Sequence, residues 1–235
     1  MNLILLESED FIREGRVRLR GRRLEHVRTV HRTTVGSELR VGLLGGKTGF
    51  GRVDRLDEEG LEMTVRFESE PPDGLPVRLI LALPRPKVLN RTIAAAVSMG
   101  IREIDLINAW RVEKAYWSSP RLSDENLRSQ AILGLEQAGD TILPTIRLQK
   151  LFVPFVREEL AESLGGRLAL VADPGGETAC PRAVANPVVL AIGPEGGFIE
   201  QELATFREIG FTTVNLGKRI LRVETALAYV VGRLF

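Results

Sequence analysis

From residue 77 onward the chain alternates short apolar runs with stretches of helical spacing. Residues 77–83, 104–107, 145–148, 168–172, 188–192 and 213–216 are strand-length runs of aliphatic and β-branched residues. Between them, 87–99 carries apolar residues at helical intervals and stops at Gly100. A second helix is predicted from the capping hydroxyl of Ser123 to Ala138, closed by Gly139. Residues 200–209 form another, closed by Gly210, and 223–234 an apolar helix. Apolar strands alternating with helices predict an α/β architecture, a parallel sheet covered on both faces. The first 70 residues have a different grain. Residues 16–20 alternate polar and apolar, and 39–44, 51–56 and 61–67 are similar short runs separated by Gly and acids, with one short helix over 25–33. That pattern predicts a small β-barrel or sandwich. Residues 70–76, EPPDGLP, place three prolines and a glycine in seven positions and read as a linker. Two domains are expected, 1–70 and 77–235.

Composition narrows the class. At 44% hydrophobic and 27% charged residues, the chain is ordinary for a globular protein and unlike a disordered or coiled-coil one. No apolar run approaches the roughly 18 residues of a membrane span. The start, MNLILLESED, has too short an apolar stretch for a secretory signal. A cytoplasmic protein is expected. The single cysteine, Cys180, excludes a disulfide framework and a thiolate zinc cage, and no metal-ligand cluster is legible. The net charge of +1 hides an asymmetry. Residues 11–52 hold eleven Lys and Arg against three acids, among them Arg16, Arg18, Arg20, Arg22, Arg23 and Arg32. This is either the footprint of a polyanion partner or a solvated arginine-rich face.

Three segments carry candidate chemistry. Gly42-Leu43-Leu44-Gly45-Gly46-Lys47-Thr48 superficially matches a phosphate-binding loop, but it is one residue short and runs into a strand, so it reads as a hairpin. Ile192-Gly193-Pro194-Glu195-Gly196-Gly197-Phe198 lies between an apolar strand and a helix, where glycines let a ligand approach the backbone. It is equally readable as a simple turn. Leu216-Gly217-Lys218-Arg219-Ile220-Leu221-Arg222-Val223-Glu224-Thr225-Ala226 gathers three cations and an acid after the next strand. A further stretch, Trp110-Arg111-Val112-Glu113-Lys114-Ala115-Tyr116-Trp117, holds both tryptophans beside cations. It suits either base stacking or packing in a core or subunit interface.

Together the second and third segments resemble the closing motifs of the SPOUT (trefoil-knot) methyltransferases, and among them the RsmE family. Leu135-Glu136-Gln137-Ala138-Gly139, Leu143-Pro144 and Lys87 support the resemblance, as do His26, Arg32, Val35-Gly36 and Leu39 in the N-terminal part. The chain departs from the family pattern at Ser98-Met99, Asp140 and Val223.

The resemblance implies a C-terminal SPOUT-like parallel sheet with a deep trefoil knot, plus a small N-terminal PUA-like barrel. It implies a homodimeric enzyme, without a metal, that uses S-adenosylmethionine to methylate N3 of a uridine in 16S rRNA, free or within the 30S subunit. Carried over, the cofactor residues are Leu170, Ala172, Ile192, Gly193, Pro194, Glu195, Gly196 and Gly197, followed by Leu216, Gly217, Ile220, Leu221, Arg222, Glu224, Thr225 and Ala226. Arg222, then Arg219, would stabilise the uracil anion, and Glu195 and Glu224 are candidate bases. Glu224 is alternatively a salt-bridge partner of one of those arginines. Arg16, Arg18, Arg20, Arg22, Arg23, Arg32 and Lys87 would meet RNA phosphates. The competing expectations are an RNA-binding protein without catalysis and a relative acting at another RNA position.

Overall fold

The computed structural model describes residues 2–29 and 33–235, so Arg32 of the expected RNA contacts lies outside the described residues. The chain divides into two compact units: residues 1–73 with 132–143, and residues 74–131 with 144–235.

The first unit contains β1 (Ile4–Leu6), β2 (Phe11–Arg13), β3 (Arg16–Leu19), α1 (Gly21–Thr29), β4 (Glu38–Leu43), β5 (Thr48–Leu56) and β6 (Leu61–Ser69). They form one six-stranded sheet in the order β1-β4-β5-β6-β3-β2, antiparallel except for β1 beside β4. Alternation decides its core. Val17 and Leu19 of β3, Val41 of β4, Val53 of β5, and Leu61 and Met63 of β6 point inward and are buried with Leu24 and Val27 of α1. The helix begins four residues earlier than its apolar pattern suggests. The lookalike phosphate loop is a hairpin turn: the Leu43 amide donates to Lys47 O at 3.0 Å, and the chain continues into β5.

Residues 132–143 belong to this unit through backbone and side-chain bonds. Glu136 O accepts from the amides of Asn2 and Leu3, and Thr141 O accepts from Gly45 N. Asp140 is explained locally. After Gly139 turns the chain with φ +75°, the Asp140 carboxylate accepts from the amides of Thr141 (2.6 Å) and Ile142 (3.0 Å). The side chain of Glu136 is 2% exposed and receives Arg22 Nη2 at 2.9 Å. Burial pushes its carboxyl above the usual range, against the pull of Arg22. A raised acid favours folding below the ordinary carboxylate range, and that contribution is lost as pH rises through the raised value. Glu136→Gln removes the titration. Melting curves at pH 5 and pH 8 are expected to show the variant gaining on the wild type at the higher pH. A constant gap would refute the assignment.

The second unit contains β7 (Leu75–Ala82), α2 (Pro86–Ser98), β8 (Ile101–Ile107), α3 (Asp124–Ala138, whose last turns belong to the first unit) and β9 (Thr145–Gln149). There follow α4 (Phe152–Pro154), a π-helical turn (Phe155–Leu160), α5 (Ala161–Ser163), β10 (Leu168–Ala172), β11 (Thr178–Ala179), β12 (Val188–Ile192), α6 (Glu200–Glu208), β13 (Thr212–Asn215) and α7 (Val223–Leu234). The sheet is wholly parallel in the order β11-β13-β10-β12-β7-β8-β9. Its central strands, β12 and β7, are buried on both faces, which is why they are apolar almost without interruption. α7 buries Val223, Ala226, Leu227, Val230, Val231 and Leu234, one stripe at helical spacing, against α2 and β12. Ser123 caps α3 as expected, its Oγ accepting from Asn126 N at 3.2 Å. Residues 70–74 carry no regular structure, but the expected linker gives way to β7 at Leu75. Among the described residues no helix is long and apolar enough to cross a membrane.

Candidate cofactor cleft and active site

Three loops meet at one edge of the parallel sheet because their strands end level. Ala172 lies opposite both Ile192 and Val214. The chain therefore leaves β10, β12 and β13 on the same side, at the carboxyl ends where open parallel sheets bind ligands. The loops wall one cleft. Ala172, Asp173 and Pro174 come from the first; Ile192, Gly193, Pro194, Glu195 and Gly197 from the second. The third supplies Leu216, Gly217, Arg219, Ile220 and Leu221, and the entry to α7 adds Val223 and Ala226. Leu170 is buried in the sheet, and Gly196, Arg222, Glu224 and Thr225 are not part of the wall. Asp173, Pro174 and Val223 line the cleft although the motif reading did not select them. Asp173 and Pro174 lie in the loop after β10, which the family resemblance implies as a cofactor loop without singling out these two residues.

Close packing of backbone shapes the second loop. A Cβ on Gly193 would come within 3.1–3.3 Å of the backbone of Gly197 and Phe198, and Gly197 holds φ +73°. The Gly197 amide closes the turn onto Pro194 O at 2.8 Å. Phe198 then anchors the loop. Its ring sits 5.3 Å from that of Phe206 on α6, within a cluster that includes Phe152 and Phe211. Arg111 lies over the loop and donates from Nη1 to Gly196 O.

Charge at the rim is unevenly committed. Glu195 is exposed, and its Oε1 accepts from Arg85 N at 3.0 Å at the N-terminus of α2, where a negative charge is favoured. Glu224 pairs with Arg91 of α2 at 3.6 Å, not with Arg219 or Arg222. The side chains of Arg219 and Arg222 are exposed, and neither forms an ion pair among the described residues. Arg222 sits between two wall residues and supplies the backbone cap of α7, its carbonyl accepting from Ala226 N at 2.7 Å. Ile220, an apolar side chain in the wall, is 83% exposed. Cys180 is buried, and burial pushes its thiol upward, away from a reactive thiolate.

Four of the six N-terminal arginines expected to meet RNA have carboxylate partners. Arg16 meets Asp54 at 3.3 Å, Arg18 donates from Nε to Glu62 at 3.0 Å, and Arg22 pairs with Glu136. Arg23 binds Asp10 with both terminal nitrogens at 2.6 Å and Leu5 O at 2.7 Å. The hydrogen bond from Arg18 holds the Glu62 carboxyl below its usual range. Arg20 and Lys87 are exposed. Among the described residues no cluster of three metal-ligating side chains occurs.

Residues 71–234, which include the parallel sheet and the cleft, match the RNA methyltransferase domain family. The chain is 31% identical over 232 residues to the ribosomal RNA small subunit methyltransferase E of Treponema pallidum, covering 96% of this chain and 87% of that protein. It is 30% identical over 221 residues to the protein of the same name in Mycobacterium bovis, covering 88% and 81%. The same fold occurs in the crystal structure of a ribosomal RNA small subunit methyltransferase E from Neisseria gonorrhoeae bound to S-adenosyl methionine. That match has a TM-score of 0.73 and 24% identity and covers 98% of this chain and 95% of that one. The chain belongs to the ribosomal RNA small subunit methyltransferase E family.

Proposed function

We propose that this RNA methyltransferase transfers a methyl group from S-adenosylmethionine to N3 of a uridine in 16S rRNA of the small ribosomal subunit. The observation that carries the reading is the convergence of the loops after β10, β12 and β13 on one cleft with exposed arginines at its rim. The residues present fit the cofactor. A side chain at Gly193 would press on the backbone of Gly197 and Phe198, so the turn offers bare backbone there, and Leu216, Ile220 and Leu221 offer apolar cover for a flat base. The exposed Ile220 gains most from such cover, since burying apolar area is worth about 25 cal/mol per Å².

When bound, the cofactor supplies an electrophilic methyl group. The chain must then bring up a uracil N3, relieve it of its proton and stabilise the negative charge. Arg222 is the group for that charge, with Arg219 beside it in the same loop. Of the two carboxylates on the cleft wall, Asp173 and Glu195, Glu195 takes the proton. One of its oxygens is held by Arg85 N, which fixes the other. Glu224 positions α2 through Arg91.

In this reading residues 1–70 form a PUA-like RNA-binding barrel, and residues 77–235 a SPOUT domain threaded as a deep trefoil knot. The strand order, with β13 and β12 flanking β10, supports the knot. Arg20 and Lys87 contact phosphates directly, whereas Arg16, Arg18, Arg22 and Arg23 do so from their ion pairs. Two copies act as a homodimer in the cytoplasm.

The test is incubation with methyl-labelled S-adenosylmethionine and 30S subunits that lack their native uridine methylation, followed by digestion to nucleosides. Label in N3-methyluridine is the expected result. Label in another nucleoside would move the target position. Cofactor binding with no transfer to any RNA would favour a protein that binds RNA without modifying it.

A further inference from the structure

The second unit contains a larger hollow than the cofactor cleft, and it is lined by both tryptophans of the chain. It opens beyond the carboxyl ends of β8 and β9, between Asn108–Trp117, Lys150–Val153 and the start of α6, and encloses about 1250 Å³. Trp110 is 79% exposed, and Leu151 and Val153 beside it are exposed as well. Nothing about this exposure reflects a loose segment. Trp110 N donates to Glu202 Oε1 at 2.7 Å, and Trp117 Nε1 donates to Asn108 Oδ1 at 2.9 Å. The second oxygen of Glu202, a buried residue, accepts from Ile199 N at 2.9 Å, so this carboxylate is consumed in holding backbone. The charges left at the opening are cationic: Lys114 and Lys150 line it with exposed side chains. Arg111, next to Trp110, bonds to Gly196 O and ties this segment to the glycine turn of the cleft.

A rigidly mounted, exposed indole with ammonium groups at the rim is complementary to an unpaired nucleobase and its phosphates. We propose that this hollow holds unstacked bases of the RNA substrate, with Trp110 as the stacking platform and Lys114 and Lys150 on the backbone. The inference rests on the methyltransferase reading for the identity of the RNA, but not for the chemistry of the hollow. A target uracil must leave its stack to reach the cleft, and a neighbouring base held on Trp110 would offset part of that cost.

Because Trp110 and Trp117 are the only tryptophans, fluorescence excited selectively in tryptophan reports this site. Titration of the full-length protein with a single-stranded uridine hexamer is expected to quench it saturably, and Trp110→Ala is expected to abolish most of the change. In the methyl-transfer assay with 30S subunits, Trp110→Ala is expected to raise KM roughly 5- to 150-fold, with kcat and S-adenosylmethionine affinity unchanged. Trp110→Phe, which keeps an aromatic face, is expected to recover much of the loss. No quenching together with an unchanged KM would overturn the proposal. So would conversion of a wild-type dimer to monomers by Trp110→Ala in sedimentation, since the ring would then belong to an interface between copies. A wild-type protein that quenches with the hexamer but transfers no methyl group would keep the base-binding hollow and refute the functional reading.

Discussion

Arg222→Ala is expected to lower kcat for methyl transfer by about 100- to 1,000-fold, the usual loss when one preorganised stabiliser of a developing anion is removed. The geometry separates this effect from unfolding. The Arg222 side chain is exposed and forms no ion pair among the described residues, and what caps α7 is its backbone carbonyl, which alanine retains. Melting temperature and cofactor affinity should therefore stay near wild type. Arg222→Lys keeps a charge but loses the planar donor fork, and its rate should fall between the two. An alanine variant with unchanged kcat would remove Arg222 from the mechanism and leave Arg219, which lines the cleft, as the remaining cation there.

Asp105→Ala is expected to destabilise the second unit by about 3–5 kcal/mol, because it strands a charge in the sheet. Asp105 on β8 is 0% exposed. Its Oδ2 accepts from Arg78 Nε on β7 at 2.8 Å, and Arg147 on β9 approaches its other oxygen at 3.6 Å. Arg78 also donates to Ser163 Oγ at 2.6 Å, so three neighbouring strands and α5 share one charge cluster. Without the carboxylate the buried guanidinium keeps only the Ser163 hydroxyl among the described residues. The thermal transition of this unit should drop by about 6–20 °C. Arg78→Met combined with Asp105→Leu should recover a large part of the loss, since removing both partners leaves no orphaned charge. A single variant that melts within a degree of wild type would show that the cluster contributes little.

The strands and helices of the C-terminal part were legible where burial on both faces left continuous apolar runs. Leu168–Ala172, Val188–Ile192 and Val223–Leu234 match their sequence patterns residue for residue. β1 and β2 escaped notice because three residues are too few to show a period. The helical run from α4 to α5 escaped because Pro154 and a π-helical turn interrupt its spacing. Asp140, a departure from the family pattern, has a local role in the turn after α3 that depends on where the chain goes next.

Read alone, the sequence carried the α/β class and singled out the two segments, 192–198 and 216–226, whose loops wall the cleft. All of these depend on local periodicity and residue type. Only the tertiary structure decided which residues face one cleft, because that follows from the register that sets Ala172 level with Ile192 and Val214. It also decided which cations are committed. Arg18 finds Glu62 across 44 positions and Arg22 finds Glu136 across 114, while the exposed side chain of Arg222 forms no ion pair among the described residues. Charge partners are chosen by folding over long sequence separations, and no local pattern encodes them.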